Sequence, residues 1–341
     1  SLIRNLKDNE NAELCAICDN WKEGLEKMRQ KTGGDVAYYT SFDELIKSDV
    51  DAVILANYAT EHAPFAVKCM ENGKHVLSEV LPVQTLSEAV ALVEAVERTG
   101  MIYAYSENYC FFQATREMRR LYREGVLGEF EYGEGEYIHN TEAIVAELTR
   151  GDERHWRNNI YATYYCTHSL GPLIHITGLK PVSVTGFELP FGIRQAREGA
   201  KHGNAGVEMV TLENGAVVKS THGQLFKNSI WYTIYGSKGR METPREDAEA
   251  GGVKRIYVNC NDSDYDNADN IKSYEPSIDL KAGKSGHSGG DFYAVNNFIE
   301  KLRGNAEAET IDVYEALDMA LPGIFAYRSV LAGGTPQSIP D

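Results

Sequence analysis

Asp51-Ala52-Val53-Ile54-Leu55-Ala56, followed after one helix-length interval by Lys74-His75-Val76-Leu77-Ser78-Glu79, reads as two buried strands of a parallel sheet. Each is a short apolar run, and the interval between them opens a helix near Thr60 to His62. Upstream, Ala12-Glu13-Leu14-Cys15-Ala16-Ile17-Cys18-Asp19 reads as another strand, ending in an acid. Further helices open at Ser41 and at Thr85, where Glu88 completes a capping box ahead of Ala89, Val90, Leu92 and Val93. Strands alternating with amphipathic helices over residues 1 to 105 predict a parallel sheet covered on both faces.

An acid at the end of the second strand of such a unit hydrogen-bonds the adenosine ribose hydroxyls and repels a 2′-phosphate, so Asp19 favours NAD over NADP. The competing reading is a strand-end aspartate that caps a turn. Leu2-Ile3-Arg4-Asn5-Leu6 looks like the helix that follows a glycine-rich phosphate turn. The first strand and the G-x-G-x-x-G turn of this Rossmann-type domain are missing from the sequence and expected ahead of Ser1.

With 341 residues the chain has room for two domains, which we place at 1–105 and 106–341. A net charge of −16 repels polyanions, and no Lys/Arg cluster forms a basic stripe, so nucleic acid is a poor partner. The six cysteines are scattered as free thiols suit a reducing compartment. Cys15 and Cys18 form a CxxC, but strand alternation puts them on opposite faces and no second pair completes a metal site, so no metal is expected. No apolar run has the length of a membrane span and no signal peptide is visible, which predicts a cytoplasmic protein without membrane association; a leader ahead of Ser1 stays open.

The second half shifts toward aromatics at Glu107-Asn108-Tyr109-Cys110-Phe111-Phe112, which leads into a helix that stops at Gly125. Glu129 to His139 alternates as a strand. Val207 to Leu212, Ala216 to Thr221 and Ile230 to Tyr235 read as strands too, the first two joined by the hairpin signal Glu213-Asn214-Gly215. These predict an α/β domain with an open, mainly antiparallel sheet that holds substrate and mediates association. Asn259 to Asn270 reads as a polar loop. Tyr165-Cys166-Thr167-His168, ahead of Ser169-Leu170-Gly171-Pro172, sets a phenol and an imidazole three residues apart, two groups suited to acid/base chemistry.

From Ser1 to Asp341 the chain resembles the glucose-fructose oxidoreductase, inositol dehydrogenase and MocA-like group. The resemblance runs through Asp19, the Asn57-to-His62 turn, Gly73-Lys74-His75-Val76, Gly236-Ser237-Lys238-Gly239 and Ile339-Pro340-Asp341. It departs at the group's Glu-Lys-Pro motif, where Glu79 is followed by Val80 and Leu81, and at Tyr164, where its dehydrogenases carry an Asp four residues before the catalytic His. A branch of NAD-dependent glycosidases, glycoside hydrolase family 109, is more similar. That likeness rests on Glu107-Asn108 with Cys110, Gly135-Glu136-Tyr137-Ile138-His139, Trp156-Arg157, Tyr165-x-Thr167-His168-x-Leu170-Gly171-Pro172 and Gly286-His287-x-Gly289 with Asp291. The family usually has Pro where Cys166 stands.

The resemblance implies a carbohydrate or glycoside substrate and bound NAD. It implies a cycle in which a ring carbinol, conventionally C3, is oxidised, the C1 substituent is eliminated, water adds and the hydride returns. His168 is the expected base, with Tyr165 and Tyr137 as the next catalytic candidates: a phenol can donate to a developing oxyanion, or deprotonate C2 if its pKa is lowered. The alternative for His168 is an imidazole capping a helix that starts at Ser169, and for the tyrosines, core rings. Asn57, Glu79 and Asn108 are expected along the cofactor, with His62 packing its turn. His139, Arg157 and His287 are substrate-side candidates, although a surface ion pair for Arg157 and an N-cap turn for His287 compete. A net sugar or polyol dehydrogenase and a non-catalytic sugar-binding protein are the alternative functions, and relatives imply a homodimer or homotetramer.

Overall fold

The computed structural model describes residues 1–33, 35–190, 202–245, 254–261 and 271–341. Helices and strands alternate through the N-terminal part as α1 (Leu2–Lys7), β1 (Ala16–Cys18), α2 (Lys22–Thr32), β2 (Ala37–Tyr39), α3 (Phe42–Leu45), β3 (Ala52–Leu55), α4 (His62–Glu71), β4 (His75–Ser78), α5 (Leu86–Thr99) and β5 (Tyr103–Tyr105). All strand pairs here are parallel. They form two ladders, β1–β2 and β3–β4–β5, rather than one continuous sheet. The capping box at Thr85 and Glu88 is made in full, and α5 ends on Gly100 in the left-handed region.

Successive side chains of β4 point to opposite faces, and both faces are covered. Val76 packs into the cluster that holds Val53, Leu55, Ala66, Met70 and Leu92. Leu77 packs with Ala104 against Val295, Phe298 and Ile299, and Leu2 and Leu6 of α1 join them. The helix that carries Val295 comes from near the C-terminus, so the end of the chain returns to close the parallel sheet.

The remainder runs α6 (Gln113–Arg123), β6 (Phe130–Ile138), α7 (Val145–Thr149), α8 (Thr167–Thr177), β7 (Pro181–Glu188), β8 (Ala205–Leu212), β9 (Val217–Gly223), β10 (Ser229–Gly236), β11 (Gly239–Glu242), β12 (Ile256–Cys260), β13 (Ile271–Tyr274), α9 (Gly290–Leu302), α10 (Val313–Leu331) and β14 (Gln337–Ser338). Nine strands form one sheet in the order β13-β12-β11-β10-β6-β9-β8-β7-β14. Every pair is antiparallel except β6 with β9. The predicted hairpin joins β8 to β9, with Asn214 Oδ1 accepting from Ala216 N and Gly215 at φ +87°. Asn259 and Cys260, expected in a loop, complete β12; residues 262–270 lie outside the described residues.

One face of this sheet buries Val210, Leu212, Val218, Tyr232 and Ile234 together with Leu170, Leu173 and Ile324 of α8 and α10. Helix α8 sits unusually close to β6 because β6 offers glycine: a Cβ on Gly135 would lie 1.8 Å from the Ser169 carbonyl oxygen. Gly135→Ala is therefore expected to lower stability by about 1–3 kcal/mol, the usual cost of overpacking, and to displace the first turn of α8. A thermal melt checks the first effect. No helix among the described residues is long and apolar enough to cross a membrane.

Candidate active site

Helix α8 begins at Thr167, two residues earlier than the capping alternative required, so His168 lies inside its first turn and caps nothing. Its backbone carbonyl accepts a 2.5 Å hydrogen bond from Tyr232 Oη. Its Nδ1 lies 2.6 Å from Glu107 Oε1, and both side chains are buried, at 7% and 0% exposure. A carboxylate only accepts, so Nδ1 carries the hydrogen and Nε2 is left as the nitrogen that can take a proton. Glu107 lies two residues beyond the C-terminal end of β5, and its Oε2 has no hydrogen-bond partner among the described residues.

Three phenols surround this imidazole: ring centroids of Tyr109, Tyr137 and Tyr165 lie 4.3, 4.6 and 5.2 Å from that of His168. Burial pushes all three phenols above their ordinary pKa, although Arg157 partly offsets the shift at Tyr165. The lowered pKa that would make Tyr137 or Tyr165 a base is thus corrected to a raised one, and these phenols, kept protonated, can donate hydrogen bonds. Tyr137 Oη and His139 Nδ1 lie 2.8 Å apart. Burial first, then the charges of His168 and Arg157, holds His139 down to about 4, so its ring is neutral near pH 7.

Tyr137, His139 and Tyr165 form part of the wall of a pocket with about 670 Å³ of free space, some of it open to solvent. Arg157 reaches into the same wall, its guanidinium 4.4 Å from the Trp156 ring and 5.8 Å from the Tyr165 ring. It makes no ion pair with another described residue. Trp156 packs in turn on Ala59 and Leu81, which ties the pocket wall to the parallel-sheet part of the molecule.

The other expected residues gather at the C-terminal ends of the parallel strands, where open α/β sheets bind their ligands. Asp19, Asn57, Glu79 and Asn108 follow β1, β3, β4 and β5. Asp19 is exposed and its Oδ1 accepts from Trp21 N, so the carboxylate also serves the turn. His62 is buried with Nδ1 2.9 Å from Leu81 O and Nε2 3.3 Å from Asn57 O, so it packs the turn and offers nothing to a ligand. Asn108 donates to Asp291 Oδ1 at 2.8 Å while its own Oδ1 is buried without a partner among the described residues. Burial, then the negative charge of Asp291, pushes Glu79 up to about 7. At Asp291 burial opposes ionisation, but His287, whose Nδ1 is 3.0 Å away, outweighs it and holds the carboxyl at about 2.

His287 is thereby fixed in a turn where it and Ser288 both have positive φ, at 48° and 49°, and it is raised above its ordinary pKa chiefly by the Asp291 hydrogen bond. The helix behind it starts at Gly290. The buried amide oxygen of Asn108, without a partner among the described residues, is an acceptor suited to an N–H donor such as the carboxamide of a nicotinamide. Among the described residues no group of three or more His, Cys, Asp or Glu side chains could hold a metal ion. Sequence reading left out Glu107 and Tyr109 as site residues. The only signal for Glu107 was its place in the Glu107-Asn108 motif, since nothing in the spacing links it to a histidine 61 residues on.

Residues 1–107 match an oxidoreductase family with an NAD-binding Rossmann fold, the glucose-fructose oxidoreductase, inositol dehydrogenase and MocA family, and residues 195–341 match the C-terminal domain of glycosyl hydrolase 109. A glycosyl hydrolase family 109 protein of Solibacter usitatus is 27% identical over 381 residues, spanning 100% of this chain and 85% of its own. In structure the chain is similar to an oxidoreductase from Agrobacterium radiobacter in complex with NAD+, L-tartaric acid and magnesium, with a TM-score of 0.79 at 17% identity over 99% of this chain and 94% of that one. It is equally similar to an aldose-aldose oxidoreductase from Caulobacter crescentus complexed with glycerol, with a TM-score of 0.79 at 18% identity over 99% and 95% of the two chains.

Proposed function

Because this chain joins an NAD-binding domain of the glucose-fructose oxidoreductase, inositol dehydrogenase and MocA family to a glycosyl hydrolase 109 C-terminal domain, we propose that it is a glycosidase that cleaves by transient oxidation. The observation that carries this reading is the distribution of carboxylates. Among the described residues, none of those lining the pocket beside Tyr137 and Tyr165 is Asp or Glu. Direct hydrolysis through an oxocarbenium-like state needs two carboxylates flanking the glycosidic bond. Here Glu107 is spent on His168, while Glu79 and Asp291 sit on the strand-end side.

Asp19, Asn57, Glu79 and Asn108 would hold NAD, which when bound supplies a hydride acceptor for the sugar's C3 carbinol and returns the hydride at the end of the cycle. His168 Nε2 accepts the carbinol proton, with Glu107 fixing the tautomer and carrying the resulting positive charge. His139, held neutral, takes the C2 proton and passes it to the oxygen that leaves C1, while the protonated phenols of Tyr165 and Tyr137 donate toward the C3 oxygen as it gains charge. Water then adds at C1, and His168 gives its proton back to the C3 oxygen. Arg157 and His139 orient the ring through its hydroxyls.

The test is turnover of p-nitrophenyl glycosides by the full-length protein with catalytic NAD, with nitrophenol and NADH absorbance followed together. Nitrophenol in many-fold excess over cofactor, without accumulating NADH, is the expected result. Stoichiometric NADH from free sugars would replace this reading with a net dehydrogenase.

A further inference from the structure

The pocket is longer than one sugar. Its inner end is the wall of Tyr137, His139 and Tyr165 against His168; from there it continues across the ends of β6, β9 and β8 to Asn204 and Gln224. Ile138, Gly223 and Ala205 are in register on those three strands. Two strand spacings make that traverse about 10 Å, more than a single pyranose ring fills.

The outer end also differs in chemistry. Tyr161 forms a rigid platform there, stacked on Tyr327 at 3.6 Å and 17° and meeting His202 edge-on at 4.4 Å. Asn204 Oδ1 is buried and has no hydrogen-bond partner among the described residues, an acceptor held ready for a donor. Gln224 is tied to it through a backbone bond from Gln224 N to Asn204 O. Gly223, at φ +149°, lets β9 lie close against β8 here, since a Cβ would strike Ala205 and the Asn204 carbonyl oxygen at 2.5 Å, and its bare backbone lines the pocket between the two ends. Tyr161, His202, Asn204 and Gln224 carry no Asp, Glu, Lys or Arg side chain, and among the described lining residues the one Arg, Arg157, belongs to the inner half.

We propose that this outer end is a second saccharide subsite that binds the leaving group as a neutral sugar, its ring against Tyr161 and a hydroxyl donating to Asn204 Oδ1. The assignment rests on the glycosidase reading for the words "leaving group", while the subsite itself can be tested by binding alone. Calorimetry on the NAD-loaded protein would compare methyl glucosides and methyl galactosides with maltose, cellobiose, melibiose and lactose. At least one disaccharide is expected to bind tenfold or more tighter than its matching methyl glycoside, and Asn204→Leu is expected to abolish that advantage. Gln224→Leu, with its fold checked by melting temperature, serves as the second variant and should reduce the advantage as well. Equal affinity for the two ligand sizes, or a preference that both variants leave intact, would overturn the subsite. A disaccharide preference without glycoside turnover would keep the subsite and sink the glycosidase reading instead.

Discussion

With His168 replaced by phenylalanine, turnover is expected to fall about 10²–10⁴-fold, the contribution of a positioned acid/base, while NAD affinity stays within a few-fold of the parent protein. Phenylalanine keeps a flat ring among Tyr109, Tyr137 and Tyr165, so the aromatic packing around the site survives. It has no Nε2 to accept a proton, and it leaves Glu107 buried with no imidazole beside it. Breaking a buried pair by removing one partner costs about 3–5 kcal/mol, so a lower melting temperature should accompany the kinetic loss. His168→Gln, which can still donate to Glu107, separates the two effects: it should recover part of the stability and none of the turnover. Nicotinamide fluorescence titration reads the cofactor side. Unchanged activity in either variant would remove His168 from the chemistry.

Elements with a strong local signal were legible in the sequence. Thr85 and Glu88 announce α5 because a capping box is made by residues three apart, and Glu213-Asn214-Gly215 announces a hairpin because the turn's positive φ selects glycine. The alternating run of β6 and the acid after β1 were equally readable. What escaped was whatever depends on distant residues meeting. The pairing of Glu107 with His168 requires the end of β5 to face the first turn of α8, which in turn requires Gly135 to let α8 settle onto β6. The helix that covers Leu77 arrives from residues 290–302, which no reading of the first 105 residues could supply. Protonation was hidden for the same reason: Tyr137 and Tyr165 read as candidate bases until burial is known, and burial turns them into donors.

Glu107→Gln gives the sharper test of how the dyad works, because it changes charge and hydrogen-bonding sense with almost no change in volume. Glu107 touches His168 and not the pocket, so it is a positioning residue, and its loss should act through the imidazole. If the new amide nitrogen faces Nδ1 it donates there, the ring hydrogen moves to Nε2, and the nitrogen aimed at the sugar can no longer accept a proton. If the amide oxygen faces Nδ1 the tautomer is kept, but no negative charge compensates the imidazolium that forms during turnover. Either way kcat is expected to fall about 10²–10⁴-fold with KM nearly unchanged, since no substrate contact is lost. A merely structural role would instead raise KM and lower the melting temperature without this split. Combining Glu107→Gln with His168→Phe supplies the decisive comparison. Residues that act as one unit are strongly non-additive, so the double variant should be no slower than His168→Phe alone. Rate losses that multiply would mean that Glu107 contributes to turnover independently of His168, and the dyad assignment would fall.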